Sequence, residues 1–312
     1  LFRSLLAEGR YHVIHDHQDC LAGLHLLIGV GHLPPVRIVH VHSPLIHIES
    51  YASSGFRKFT VALAKVSVAL LASHILGTSR QVLTEHGFGN FLFRRIAPKA
   101  LHCGFDVRRF LGPYDQMHDR ICAEFGFQNS VKVLLFVGRL EANKNHKNPG
   151  FALEVLKSCI EMDPDVRLLM VGENSFCKEK WEKVALSLGV VDKVCFLGIR
   201  HDVPLLMQGS DLLLFPSVGE GLGMAAVEAQ AAGLRVLVSD VTPSECSVTP
   251  NMVTFKSLGD GPDSWAFEAM SILNSARPDS QVANKTVEQS PFSISTSLFN
   301  LLEIYTSVIK KM

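Results

Sequence analysis

Short apolar runs alternate with longer amphipathic stretches along the whole chain. In the second half, stretches of about 10 to 15 residues with helical spacing separate the runs. Such an alternation is typical of βαβ units and a parallel sheet. The strands predicted there are 132–137, 166–171, 194–197, 211–215, 235–239 and 252–255. The first half predicts strands at 11–15, 36–41, 73–77 and 95–101, and helices at 19–30, 54–71 and 80–86.

The length of 312 residues exceeds that of one typical domain, so the pattern predicts two Rossmann-like domains. Residues 111–130 contain Gly112 and Pro113, several charges and little periodicity, which favours an interdomain hinge. We therefore place the first domain over 1–120 and the second over 121–290. A final helix within 291–312 has one apolar face, and we expect it to pack back toward the first domain.

Composition and charge exclude several classes of protein. The formal net charge is zero and the pI is near 7.3, which argues against a nucleic-acid-binding surface. Seven cysteines without a Cys-x-x-Cys pair indicate reduced thiols in a cytosolic setting. The apolar run 59–71 is too short to span a bilayer and predicts a core helix. A peripheral membrane contact through Arg57, Lys58 and Lys65 is the second interpretation.

The segment Phe215–Gly233 is the most informative part of the chain. It contains the carboxylates Glu220 and Glu228 around a glycine-rich helix start that follows a buried strand. A helix start at that end of a parallel strand offers N–H groups to an anion. The carboxylates then suit the hydroxyl groups of a sugar, and the pattern suits a sugar nucleotide. The alternative is ordinary compensation of the helix dipole by Glu220, with Glu228 on the solvated surface.

Other strand ends carry matching chemistry, because ligands of such sheets bind at the carboxyl ends of the strands. Arg139 and Lys144 follow one strand, and two cations there would hold a diphosphate. A solvated basic loop is the alternative. Gly172 and Gly198 each end another strand and permit the close backbone approach that a nucleobase needs.

Four histidines lie near the ends of the first two strands. His15 and His17 belong to one strand end, His40 and His42 to the next, and the period of two places each pair on one face. We interpret them as lining a polar cleft that faces an acceptor. A zinc site is the alternative, although the surrounding sequence matches no familiar hydrolase motif.

Three motifs together resemble the retaining glycosyltransferases of family 4, which have the GT-B fold of two Rossmann-like domains. They are Val137-Gly-Arg-Leu-x-x-x-Lys144, Gly198 before Asp202-Val-Pro204, and Pro216-Ser-x-x-Glu-Gly-x-Gly with Glu228-Ala-x-Ala-x-Gly233. The resemblance covers the second half and, more loosely, the first. The segment Ala229–Asp240 resembles sequences of the family branch that acts in bacterial capsule and exopolysaccharide synthesis.

The resemblance implies a role for each matching residue. Glu220 and His42 would form the catalytic part, where Glu220 contacts the transferred sugar and His42 reaches over it. Arg139 and Lys144 would bind the donor diphosphate, and Glu228 would hold the ribose hydroxyls. The donor site would be completed by backbone at Gly198, Gly221, Leu222 and Gly223. No metal and no cofactor is implied beyond the nucleotide-sugar co-substrate.

The implied activity is transfer of a sugar from a UDP- or GDP-sugar to a saccharide or lipid-linked acceptor, with retention of anomeric configuration. The setting would be exopolysaccharide, capsule or lipopolysaccharide synthesis in the cytoplasm, at the inner face of the membrane. The family's first strand and its glycine-rich loop are not found here, so we expect a truncated first domain, on the acceptor side. A non-catalytic nucleotide-sugar-binding remnant and a GT-B sugar-nucleotide epimerase are the alternatives.

Overall fold

The computed structural model describes residues 1–46, 55–140, 146–173 and 178–307. The chain forms two compact units. Unit 1 consists of residues 1–104 and 294–312, and unit 2 consists of residues 105–293. Each unit is an α/β structure with its own parallel sheet, so the predicted fold class is confirmed.

Ten strands lie in the described part of the chain. They are β1 Val13–Asp16, β2 Val36–Val41, β3 His74–Gly77, β4 Lys99–Ala100, β5 Lys132–Val137, β6 Val166–Val171, β7 Val194–Gly198, β8 Leu212–Phe215, β9 Arg235–Ser239 and β10 Val253–Lys256. The sheet of unit 1 has the order β1-β2-β3-β4, and that of unit 2 has the order β10-β9-β8-β5-β6-β7. Every pairing is parallel.

The α-helices surround these sheets. They are α1 Phe2–Glu8, α2 Ala22–Ile28, α3 Gly55–Leu71, α4 Arg80–Glu85, α5 Tyr114–Phe125, α6 Pro149–Met162, α7 Lys178–Leu188, α8 Val203–Gly209, α9 Met224–Ala231, α10 Gly261–Leu273, α11 Ser280–Glu288 and α12 Ile294–Thr306.

Alternation along the strands of unit 2 fills two cores, one on each face of the sheet. Along β5, Val133 and Leu135 face the core that includes Val227 of α9. Leu134 and Phe136 face the opposite core, which includes Trp265 of α10. Burial on both faces explains why these strands are almost uninterrupted apolar runs.

Unit 1 is layered in the same way. One face of its sheet packs with α2, α3 and α4. On the other face, Ile38 and Leu76 pack with Leu301, Ile304 and Tyr305 of α12. The last described helix is therefore part of the same unit as the first strands.

The prediction of a hinge over 111–130 is wrong, because Tyr114–Phe125 forms α5. This helix packs against α8 within unit 2, and the boundary predicted at 120/121 falls inside it. Its helical period is hidden in the sequence because one of its buried positions is a histidine, His118. The ring of His118 compensates by lying 3.0 Å from the Gly209 carbonyl oxygen and 3.2 Å from that of Asn129.

Smaller differences concern element lengths. The strand predicted at 95–101 is only Lys99–Ala100, and the helix predicted at 19–30 is a 3-10 turn followed by α2. The run 59–71 belongs to α3, which buries Ala64 and Val68 and exposes other apolar side chains. Within the ranges described above, no helix combines the length and apolar character needed to cross a membrane.

Candidate active site

The loops that follow β5 and β8 are fastened together at the carboxyl edge of the unit 2 sheet. The Val218 N–H donates to the His146 carbonyl over 2.8 Å. One residue further along, Lys147 Nζ lies 2.5 Å from Glu220 Oε1, and Glu220 is buried. The two links bring a predicted site residue, Glu220, against the loop that begins with Arg139.

Lys147 is a site residue that the sequence reasoning missed. Its ammonium group also lies 4.9 Å from the centre of the Phe215 ring, so it contacts both the last residue of β8 and the carboxylate beyond it. The predicted cation Lys144 lies outside the described residues, and Arg139 is exposed at the start of the loop. One sequence feature could have identified it: Lys147 lies in the same loop after β5 as Arg139.

The backbones after β5, β6 and β7 pack closely against one another. The Gly138 N–H donates to the Val171 carbonyl and the Gly172 N–H to the Gly198 carbonyl, each over 2.9 Å. A Cβ on Gly172 would lie 1.9 Å from the Gly138 oxygen, so only glycine fits. Gly198 has a left-handed φ of 67°. These glycines let the three loops pack closely at this edge, whereas the predicted approach of a nucleobase to Gly172 and Gly198 stays a prediction.

The turn into α9 is fixed by its neighbours on both sides. Gly223 has φ 89° and is the N-cap residue of α9, and a Cβ there would lie 2.9 Å from Thr242 Cγ2. Leu222 is buried in the unit 2 core, which anchors the turn through its side chain and leaves its backbone for other contacts. Gly221 completes the turn. The result is a helix start at the end of β8, a geometry that suits an anion.

Glu228 lies on α9, away from compensating charge. Burial raises the pKa of its carboxyl group, because desolvation disfavours the charged form. Within the described part of the chain, its side chain forms no ion pair or hydrogen bond. A desolvated carboxylate without a donor is a costly group to keep in an unliganded protein.

Gln230 holds the loop after β9 against α9. Its Nε2 donates to the Ala226 and Cys246 carbonyls over 2.8 and 2.7 Å. Its Oε1 accepts from the Val248 and Thr249 N–H groups, each over 2.9 Å. The side chain thus uses its full hydrogen-bonding capacity to fix the helix beside Glu228, a positioning role that no sequence pattern indicated.

The four histidines of unit 1 form a compact cluster, which we call the histidine cluster (His15, His17, His40 and His42). Two edge-to-edge pairs cross from one strand end to the next, with His15 Nε2 3.1 Å from His40 Nδ1 and His17 Nδ1 2.8 Å from His42 Nε2. The rings of His15 and His17 stack with centroids 4.1 Å apart, and those of His40 and His42 are tilted with centroids 4.2 Å apart.

His15, His40 and His42 are uncharged at neutral pH. Burial, and then the neighbouring histidines, lower the pKa of His15 to about 4 and that of His40 to about 2. Burial and His17 also lower the pKa of His42, which is the predicted catalytic histidine. The backbone of His42 is fixed by Asp19, whose Oδ1 accepts from the N–H groups of His42 and Ser43 over 2.7 and 3.2 Å.

Comparison with known proteins shows which family the segment that carries this site resembles. The model of the family described as Glycosyl transferases group 1 matches residues 118–263. Residues 118–263 are therefore similar to the group 1 glycosyltransferases. This segment contains Arg139, Gly198, the 221–223 turn and both glutamates. The chain is a transferase enzyme, as the sequence predicted.

Two relatives extend the match beyond this segment. EpsF of Bacillus subtilis (strain 168), named as a glycosyltransferase, is 26% identical over 314 residues, which cover 99% of this chain and 78% of EpsF. UDP-Gal:alpha-D-GlcNAc-diphosphoundecaprenol alpha-1,3-galactosyltransferase of Escherichia coli is 30% identical over 256 residues. That alignment covers 78% of this chain and 62% of the relative.

Solved structures match the fold of almost the whole chain. Anabaena HepE in complex with UDP has a TM-score of 0.77 at 19% identity, and the match covers 98% of this chain and 80% of HepE. The same protein has also been solved with UDP-glucose. The similarity of fold confirms the predicted GT-B class.

Proposed function

We propose that this protein transfers a sugar from a nucleotide diphosphate sugar to a saccharide or lipid-linked acceptor, with retention of anomeric configuration. The pathway we propose is exopolysaccharide, capsule or lipopolysaccharide synthesis, as expected for the family 4 branch. UDP is the favoured nucleotide of the donor, because HepE binds UDP and UDP-glucose and the galactosyltransferase relative is named for a UDP-sugar.

The observation that carries the proposal is the carboxylate of Glu228. It is desolvated and lies on the helix that starts at Gly223. Ribose hydroxyls are hydrogen-bond donors, and a carboxylate is an acceptor only. Two such bonds would supply the hydrogen-bond donors that the Glu228 carboxylate lacks in the unliganded protein. A ribose on Glu228 then directs the diphosphate toward the helix start.

The diphosphate would be held by charge and by backbone. The N–H groups of Leu222 and Gly223 would bind it at the start of α9, and Arg139 and Lys144 would bind it from the loop after β5. Departure of the nucleotide places negative charge on the β-phosphate. Fixed donors and cations stabilise that charge in the transition state without a resident metal.

The transferred sugar would contact Glu220, and we propose His42 as the second catalytic residue. Glu220 is buried and already bound to Lys147, so its carboxylate is held in one orientation before the sugar arrives. The neutral ring of His42 offers either a donor or an acceptor to a hydroxyl. An arrangement fixed before binding is what catalysis by positioning requires.

A lipid-linked acceptor would bring the protein to the inner face of the cytoplasmic membrane. The first turns of α3 support this part of the proposal, because Phe56 and Phe59 are 79% and 66% exposed beside Arg57 and Lys58. Exposed aromatic and basic side chains together suit an anionic lipid surface.

Donor binding tests the proposal directly. We expect UDP-glucose or another UDP-sugar to bind the wild-type protein in isothermal titration calorimetry, and Glu228→Ala to weaken binding at least tenfold. Glu161→Ala on α6 is the matched control, since Glu161 is exposed and its loss should leave affinity unchanged. Equal affinity in all three proteins would overturn the donor site.

Product analysis tests the reaction itself. Proton NMR of the product after incubation with donor and membrane lipid extract should show an anomeric configuration equal to that of the donor. Inverted product would refute retention. Donor binding without transfer to any acceptor would favour the non-catalytic remnant, and an epimerised sugar nucleotide formed without acceptor would favour the epimerase.

A further inference from the structure

We propose that the histidine cluster of unit 1 binds one divalent transition metal ion, Zn²⁺, with His15, His17 and His40 as ligands. One ring nitrogen from each of these three residues lies within 4.8 Å of the other two. The site belongs to unit 1 and uses none of the donor-binding residues of unit 2. Its test is therefore independent of the proposed transferase activity.

The spacing of the ring nitrogens is close to what a zinc ion needs. At Zn–N distances of about 2.0–2.1 Å, tetrahedral ligands have nitrogens roughly 3.3 Å apart. His15 Nε2 and His40 Nδ1 are 3.1 Å apart, so this pair can bind with little movement. His17, the third ligand, is stacked on His15 and is exposed, so its ring can turn toward the ion.

The backbone supplies a rigid frame for the ligands. His15 and His40 belong to β1 and β2, which are adjacent parallel strands. Sites built on strands hold ligand geometry better than sites built on loops. Asp19 fixes the chain beyond β2 by accepting from the backbone of His42 and Ser43.

Tyr305 of α12 orients the His15 ring as an outer partner would. Its hydroxyl lies 2.8 Å from His15 Nδ1, which leaves Nε2 directed at His40. With a metal on Nε2, the proton of the neutral ring is on Nδ1 and donates to the tyrosine oxygen. Hydrogen bonding of the second nitrogen in this way is the usual support for a metal-binding histidine.

The paired ring nitrogens of the cluster have too few protons between them. His40 is 4% exposed, and its Nδ1 faces His15 Nε2 over 3.1 Å. Each edge-to-edge pair shares one proton between two ring nitrogens, so the lone pairs compete for few donors. A cation that accepts these lone pairs removes the competition.

The donor atoms select the metal. All candidate ligands are imidazole nitrogens, which suit Zn²⁺, Ni²⁺, Co²⁺ and Cu²⁺ and do not suit Mg²⁺ or Ca²⁺. The fourth position can be taken by water or by His42, whose Nε2 lies 2.8 Å from His17 Nδ1.

Occupancy would have a functional consequence if the proposed transfer reaction is correct. Zinc bound to His17 would change the pairing of its ring with that of His42. His42 is the histidine that we propose as a catalytic residue. Micromolar Zn²⁺ should then slow transfer, and a chelator should restore it. This consequence depends on the proposed function, whereas metal binding itself does not.

Titration with Zn²⁺ and with Co²⁺ tests the site. We expect one ion per chain by calorimetry and, for Co²⁺, the visible absorption of a tetrahedral nitrogen site. His17→Gln and His15→Gln should each lower the affinity by tenfold or more. His32→Gln is the matched control, because His32 is exposed and outside the cluster, and it should bind metal as the wild type does.

Folding of the variants is checked by circular dichroism, and His17→Gln is the decisive one because His17 is exposed. Zn²⁺ should raise the Tm of the wild type and of His32→Gln, and leave that of the His15→Gln/His17→Gln variant unchanged. Absence of stoichiometric binding to the wild type would overturn the proposal. So would binding that persists in the double variant, since the metal would then lie elsewhere.

Discussion

Lys147 Nζ lies 2.5 Å from Glu220 Oε1, so the carboxylate proposed to contact the transferred sugar is neutralised by a cation from the neighbouring loop. Glu220 is buried and Lys147 is half-buried. For such a pair, the cost of removing one partner exceeds the net contribution of the pair, because the other charge stays desolvated.

Lys147→Met should therefore destabilise the protein by about 1–3 kcal/mol, a value reduced for the partial exposure of the lysine. The unpaired Glu220 should also lose its orientation, which lowers kcat. Urea unfolding and steady-state kinetics measure the two effects. Adding Glu220→Gln should recover part of the lost stability, whereas Lys157→Met on α6, an exposed position, should have no effect.

Glu228→Gln should stabilise the unliganded protein near pH 7–8. Because burial raises the pKa of this carboxyl, the folded state binds a proton more readily than the unfolded state. The charged form thus costs stability above the folded-state pKa, and the cost disappears below the unfolded value of about 4.3. The Tm advantage of the variant should vanish near pH 4, where the wild-type carboxyl is protonated in both states.

The same variant should bind the UDP-sugar roughly 10 to 100 times more weakly, because hydrogen bonds to a charged acceptor contribute about 1.5–3 kcal/mol. Stability and donor affinity thus change in opposite directions. A variant that is no more stable and binds donor as well as the wild type would contradict the assignment of Glu228.

The histidine cluster should make the protein sensitive to mild acid. The pKa of His15 is lowered to about 4 from about 6.5, so below pH 6.5 the unfolded state binds more protons than the folded state. Stability should fall as the pH falls from about 6.5 toward 4. In thermal melts with metal removed, His15→Gln should lose less Tm between pH 7 and pH 5 than the wild type, and an equal loss would count against the lowered pKa.

Gln230→Ala should destabilise unit 2 by about 2–4 kcal/mol, since it leaves buried carbonyl and N–H groups without partners. It should also weaken donor binding by loosening the loop after β9 beside Glu228. Gln281→Ala on α11 is the control, because Gln281 is exposed and surface changes stay within about 0.5 kcal/mol. Chemical denaturation of both variants is the measurement.

Chelation should not reduce sugar transfer. In the proposed mechanism the charge on the leaving phosphate is met by protein N–H groups and cations, so EDTA treatment should leave kcat unchanged or raise it by removing zinc from the histidine cluster. A loss of activity that Mg²⁺ or Mn²⁺ restores would refute the metal-independent mechanism.

Strand positions could be predicted well from the sequence because burial on both faces leaves a strong apolar signal. The strands at 36–41, 132–137, 166–171 and 235–239 have the predicted bounds. The helix at 114–125 could not be predicted, because a buried histidine whose polar atoms are satisfied has no apolar signature.

The site was predictable only where chemistry followed a strand end. Glu220 and Glu228 stood out beside glycines, and the structure has Glu220 in the turn after β8 and Glu228 within α9. The pairing of Lys147 with Glu220 depends on how two loops meet, which the spacing of residues along the chain does not encode. The contact between Tyr305 and His15 depends in the same way on the packing of a helix far along the chain.

The packing of α12 on the sheet of unit 1 also constrains how the protein can be made. The apolar face formed by Ile38 and Leu76 leaves the ribosome long before Leu301 and Ile304 exist. Synthesis of all of unit 2 must intervene, which takes on the order of tens of seconds at about 5–20 residues per second. During that interval the nascent chain presents an uncovered sheet face, a natural binding surface for a chaperone.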